Sequence, residues 1–131
     1  MRSAILAAVA LSLATPLAAQ DAVKTVPVKF AGDVGAKAIK GAVRGYATVN
    51  YTVPARAGQT MTVRLTTSNR SSYFNVMAPG ADTAMFNGST TGNRFSATIP
   101  LTGTYTVQVY LMRNAARRNE TANYTLDVGI S

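Results

Sequence analysis

A chain of 131 residues with a formal net charge of +8 and neither cysteine nor histidine is long enough for one domain folded without disulfides. It lacks the commonest general base, the cysteine nucleophile and the Cys/His metal sets. Its five acidic residues never cluster in sequence, which argues against a carboxylate-pair active site; the excess of positive charge suits an acidic partner instead, such as nucleic acid, an anionic surface or a protein with an acidic cleft.

The chain opens with the pattern of an export signal. Arg2 precedes an apolar run from Ile5 to Leu13, broken only by Ser12, and Pro16 with Ala18-Ala19-Gln20 resembles a cleavage region. The run is too short for a membrane span, and no second apolar stretch of spanning length follows. Residues 1–20 are therefore expected to be a signal peptide and residues 21–131 a single domain, with no membrane insertion. A domain of this size buries about two-thirds of its unfolded surface, enough for an independent core.

From residue 22 the apolar pattern has period two. Val23, Val26, Val28 and Phe30 lie among polar residues, and Pro27 predicts an edge strand. After a turn at Gly32 to Gly35, a strand over 36–43 alternates Lys37 and Lys40 with small apolar residues. A strand over 46–53 follows, with Pro54 expected to end it and Ala57-Gly58-Gln59 to turn the chain. Thr60–Thr67 sets Met61, Val63 and Leu65 on one face and Thr62, Arg64 and Thr66 on the other, the mark of a half-buried strand. Tyr73–Met77 is a short strand closed by Pro79-Gly80. Residues 81–92 are the least legible, with only Met85-Phe86 as an anchor. Arg94–Ile99, Thr104–Met112 and Ala122–Ile130 complete the set.

About eight short strands separated by Gly, Pro and Asn turns, with no convincing helix, predict an all-β, antiparallel, jelly-roll-like sandwich. The expected inward faces hold Met61, Val63, Leu65, Tyr105, Val107, Val109, Leu126, Val128 and Ile130. For the aromatic residues, which fall mostly in strands, core packing is the default reading.

Between the last two strands lies Arg113-Asn114-Ala115-Ala116-Arg117-Arg118-Asn119-Glu120, longer and more polar than a tight hairpin needs. If it makes one helical turn, Arg113 and Arg117 point the same way and form a planar cationic fork for carboxylate or phosphate. The bland alternative is a solvated basic loop, or an Arg113 that caps the sandwich by bonding loop carbonyls.

Three stretches together resemble one family. They are Arg44-Gly45-Tyr46 with Tyr51 and Ala57-x-Gly-Gln, then Gly103-x-Tyr105, then Arg113-Asn-x-Ala-Arg117 leading to Asn123-Tyr124 and a closing alternating strand. The resemblance is to the periplasmic inhibitors of g-type lysozyme, and it spans roughly residues 25 to 130. The first two stretches also occur in bacterial pre-peptidase C-terminal β-sandwich modules; the arginine loop is the more specific signal. The resemblance implies a periplasmic, non-catalytic β-sandwich without cofactor or metal, whose partner is a lysozyme, the g-type favoured. It further implies that Tyr46, Arg113 and Arg117 make the inhibitory contacts, with the arginine loop entering the acidic cleft. The competing expectation is a carbohydrate- or cell-wall-binding module that contacts peptidoglycan directly. A nucleic-acid binder is disfavoured, because no nucleic-acid motif accompanies the export signal.

Overall fold

The computed structural model describes residues 22–131, so the expected signal peptide at residues 1–20 lies outside the described residues. Nine strands and two short helices make up the fold among them. In order they are β1 (Val23–Pro27), β2 (Gly35–Arg44), β3 (Thr48–Ala55), β4 (Thr60–Thr67), β5 (Ser72–Met77), β6 (Phe86–Asn87), α1 (Gly88–Thr91), β7 (Arg94–Thr98), β8 (Gly103–Leu111), α2 (Arg113–Arg117) and β9 (Thr121–Ile130). Two sheets face each other, one in the order β1-β3-β8-β5-β6 and the other β2-β9-β4-β7. All pairings are antiparallel except β1 against β3, which is parallel.

The alternation in sequence becomes the two faces of each sheet, because successive strand side chains point to opposite sides. All nine expected inward residues are buried, joined by Val49, Tyr51, Val53, Phe74, Val76 and Phe95. β9 lies between β2 and β4 and sends Ala122, Tyr124, Leu126, Val128 and Ile130 inward. Aromatic contacts close the sandwich along both sides. On one, Phe86 stacks on Phe74 with ring centres 5.1 Å apart and meets Phe95 edge-on at 5.2 Å. On the other, Tyr51 and Tyr124 cross edge to face and share a buried hydroxyl–hydroxyl hydrogen bond of 2.7 Å.

Three local features differ from expectation. Pro54 does not end β3 but sits inside it, opposite Thr104. Thr52 turns its carbonyl toward the first strand and accepts from the Val28 amide. Pro54, two residues on, faces the same way, past the last paired residue of β1, where no ladder bond needs its missing N–H. Residues 81–92 contain the two-residue β6 and the single turn α1. α1 is capped by Asn87, whose side chain accepts from the Ser89 amide. β6 is thus the ninth strand, and β1 pairs parallel to β3 where an antiparallel sheet was expected; its edge position and Pro27 agree with the sequence reading. No helix among the described residues is long and apolar enough to cross a membrane.

Candidate functional site

The β2–β3 turn, the β4–β5 loop and the β8–β9 connection emerge at one end of the sandwich, as the registers Arg44 opposite Thr121 and Ser72 opposite Leu111 require. The β8–β9 connection makes the helical turn the sequence suggested. Its N-terminus is set by Met112, whose amide donates to the Ser71 carbonyl at 2.8 Å. The Met112 carbonyl accepts from Ala115 and Ala116. Ala115 and Ala116 are buried and anchor the turn against the sandwich. Small side chains there let the backbone approach closely, and helical geometry then turns Arg113 and Arg117 outward on one face.

The far end of the turn is closed by a Schellman arrangement. The Asn119 amide donates to the Ala116 carbonyl at 2.9 Å and the Glu120 amide to the Ala115 carbonyl at 3.1 Å. Asn119 has φ 56°, a left-handed conformation that asparagine tolerates better than other non-glycine residues. With its amide oxygen turned toward Arg44, the Asn119 side chain accepts from Arg44 Nε at 3.2 Å and Nη2 at 3.0 Å.

Tyr46 is joined to this segment through its neighbour. The Gly45 amide donates to the Glu120 carbonyl at 2.9 Å. Gly45 has φ 62°, and a Cβ there would stand 2.7 Å from the end of the Asn119 side chain. The glycine thus supplies both the left-handed turn and the room for the contact. Tyr46, at the tip of that turn, is 45% exposed, unlike Tyr51, Tyr105 and Tyr124, which are buried.

The three arginines of the connection are not equivalent. Arg118 Nε donates to Glu120 Oε2 at 2.7 Å, and Asn69 Nδ2 donates to Glu120 Oε1 at 3.0 Å. These bonds, Asn69 first and Arg118 next, hold the Glu120 carboxyl below its ordinary pKa. Arg113 and Arg117 are exposed and make no ion pair or side-chain hydrogen bond among the described residues. Arg113 does not bond loop carbonyls; the backbone of Met112, Asn119 and Glu120 does that work. Two unneutralised guanidinium groups and one exposed phenol therefore share one end of the sandwich. The grooves lined by Arg56, by Arg64 and by Lys40 include none of Tyr46, Arg113 and Arg117. Among the described residues there is no group of three or more metal-ligating side chains.

The sequence singled out all three residues but not their supports, Asn119, Asn69 and Glu120. The signal that could have found Asn119 is an asparagine two places after Arg117, just past the last residue of the helical turn.

No family profile matches the sequence. Among curated proteins, the chain is 30% identical over 115 residues to the inhibitor of g-type lysozyme of Escherichia coli (strain K12), covering 82% of this chain and 81% of that protein. Among solved structures, it is similar to Aeromonas hydrophila PliG, a periplasmic lysozyme inhibitor of g-type lysozyme. That match has a TM-score of 0.78 and 39% identity over 86% of this chain and all of that one (100%). A more distant likeness is to the pre-peptidase C-terminal domain of a Bacillus anthracis collagenase, with a TM-score of 0.54 and 14% identity over 86% of this chain and 97% of that one. It concerns the fold alone.

Proposed function

The chain belongs to the family of periplasmic inhibitors of g-type lysozyme, and from that membership we propose that it inhibits a g-type lysozyme by inserting Arg113 and Arg117 into the enzyme's acidic cleft. The observation that carries the reading is the inequality of the arginines. Arg118 is neutralised by Glu120, whereas Arg113 and Arg117 stand free on one face of an anchored turn. A lysozyme uses a carboxylic acid to protonate the leaving oxygen of a glycosidic bond. A guanidinium bonded to that carboxyl in bidentate fashion blocks proton transfer, and its bulk excludes the sugar. Tyr46 adds rigid contact area beside the arginines, with two side-chain torsions to fix.

An end whose turn is already fixed by its own backbone bonds suits a partner with a preformed cleft, since little ordering is needed on binding. On this reading residues 1–20 direct export and are removed, residues 21–131 are the inhibitor domain, and the protein acts in the periplasm without catalysing a reaction. The likeness to the pre-peptidase C-terminal domain concerns the fold and is no basis for a second function.

The test is a turnover assay of g-type lysozyme with the wild type and with Arg113→Ala, Arg117→Ala and Arg118→Ala, alongside thermal melts. The first two variants should lose inhibition while keeping the wild-type melting temperature. Full inhibition by both would overturn the mechanism, and a wild type that inhibits no lysozyme would overturn the functional reading itself.

A further inference from the structure

The outer face of the β2-β9-β4-β7 sheet carries an arrangement that the inhibitory end does not explain. Arg64 on β4 stands directly opposite Arg94 on β7 and, on its other side, opposite Asp127 on β9. Like charges directly across a strand pair oppose folding. Asp127 reaches Arg64 only at 3.6 Å, and Arg94 has no ion pair among the described residues. One carboxylate in a row with two guanidinium groups, on the far side of Arg64 from Arg94, leaves a positive charge unmatched on a protein already strongly basic.

Two concavities meet at this pair. A groove of about 770 Å³ runs over the sheet, and a second hollow of about 590 Å³ continues toward Arg70 and Tyr73; both are lined by Arg64 and Arg94. The groove floor includes Ala36, Thr62, Ser96 and Gly129. Small side chains let an extended ligand lie close to the sheet, and the exposed hydroxyls of Thr62 and Ser96 can donate and accept.

We propose that this face binds a carboxylate-bearing glycan strand, with sugar hydroxyls on Thr62 and Ser96 and carboxylates on Arg94 and Arg64. Guanidinium groups suit planar carboxylates, which they bind through two parallel hydrogen bonds. A nucleic acid is a poorer fit: the groove offers no exposed aromatic plane for base stacking, since Phe95 is buried at 8% exposure and Tyr73 is half-buried. A protein partner would want large apolar anchors, which the floor lacks. The site shares no residue with Tyr46, Arg113 or Arg117, so it stands or falls separately from the inhibitory reading.

Binding of three probes to the exported protein tests it: soluble peptidoglycan strands, the same strands with their carboxyl groups amidated, and single-stranded DNA of matched charge. The wild type should bind the untreated strands at least tenfold more tightly than the amidated strands or the DNA. Arg64→Ser with Arg94→Ser should lose at least tenfold in strand binding, and Arg113→Ala should bind strands as the wild type does. Arg94→Ser should also melt no lower than the wild type, because it removes a like-charge contact; a clear fall would make the pair structural and overturn the proposal. So would absent strand binding, equal binding of amidated strands, tighter binding of DNA, or a double variant that binds like the wild type.

Discussion

At the scale of single residues, what matters at the candidate site is which charges are already satisfied. Arg113→Ala and Arg117→Ala should each weaken the complex with a g-type lysozyme by roughly 2–4 kcal/mol, the range of interface residues that dominate affinity. Calorimetric titration checks this. Arg118→Ala should cost less than about 1 kcal/mol, because Arg118 is an exposed, self-neutralised cation. Glu120 gives the same cluster a pH signature. Its folded pKa lies below the ordinary 4.5, so its contribution to stability is complete above that value and is lost as pH falls through the depressed one. Melting temperatures measured across the acid range should therefore fall less steeply for Glu120→Gln than for the wild type. The sequence reading singled out Arg113 and Arg117 because spacing alone puts residues four apart on one helical face. It could not separate Arg118 by its ion pair, because Asn69, the other ligand of Glu120, comes from a different loop far away in the chain.

At the scale of elements, the β8–β9 connection is a preformed part rather than a loop awaiting a partner. Its backbone carbonyls are taken up by the Schellman bonds, and Gly45 fastens the Tyr46 turn to it. Asn119→Ala should destabilise the fold by about 1 kcal/mol, since alanine disfavours the left-handed region, whereas Asn119→Gly should be nearly neutral apart from the lost Arg44 bonds. Gly45→Ala should cost more, about 1–3 kcal/mol, because strain at φ 62° adds to the encounter with Asn119. Chemical denaturation of the three variants ranks them. Strands such as β4 and β9 were legible because one buried face imposes strict alternation. β6 and α1 were not, since two residues and one turn are too short to show any period. Pro54 misled for a related reason: proline ends a strand only where the ladder needs its N–H, and that depends on where β1 stops.

At the scale of the whole molecule, the core and the proposed contact residues are separate sets: Arg113, Arg117 and Tyr46 are exposed, and none belongs to the buried cluster. Leu126 is fully buried in β9, between two neighbouring strands. Leu126→Ala should cost about 2–5 kcal/mol of folding stability, measured by denaturant titration, with no specific effect on inhibition under conditions where the variant remains folded. The tyrosine pair between the sheets adds an alkaline limit. Burial first, then the bond from Tyr51, raises the Tyr124 pKa well above its ordinary 10.0. Its contribution is thus complete below that pH and declines as pH rises beyond it toward the folded value. Tyr124→Phe should lower stability at neutral pH and flatten the loss above pH 10. The fold class was readable from composition and period, because both sheets bury one face. That the turns at 45–46 and 113–117 share one end was not, since it follows from the β2–β9 register, which no single segment encodes.

The anchoring of the arginine turn by Ala115 and Ala116, with its carbonyls bound to its own backbone, also governs how the protein can change over generations. Positions 113, 114 and 117 face outward and owe nothing to the core. They can be exchanged while the frame beneath them stays put. On the proposed mechanism, an enzyme that escapes by reshaping its cleft can be followed by substitution at a few surface positions, whereas an inhibitor whose key were also its keystone would have to refold to keep pace.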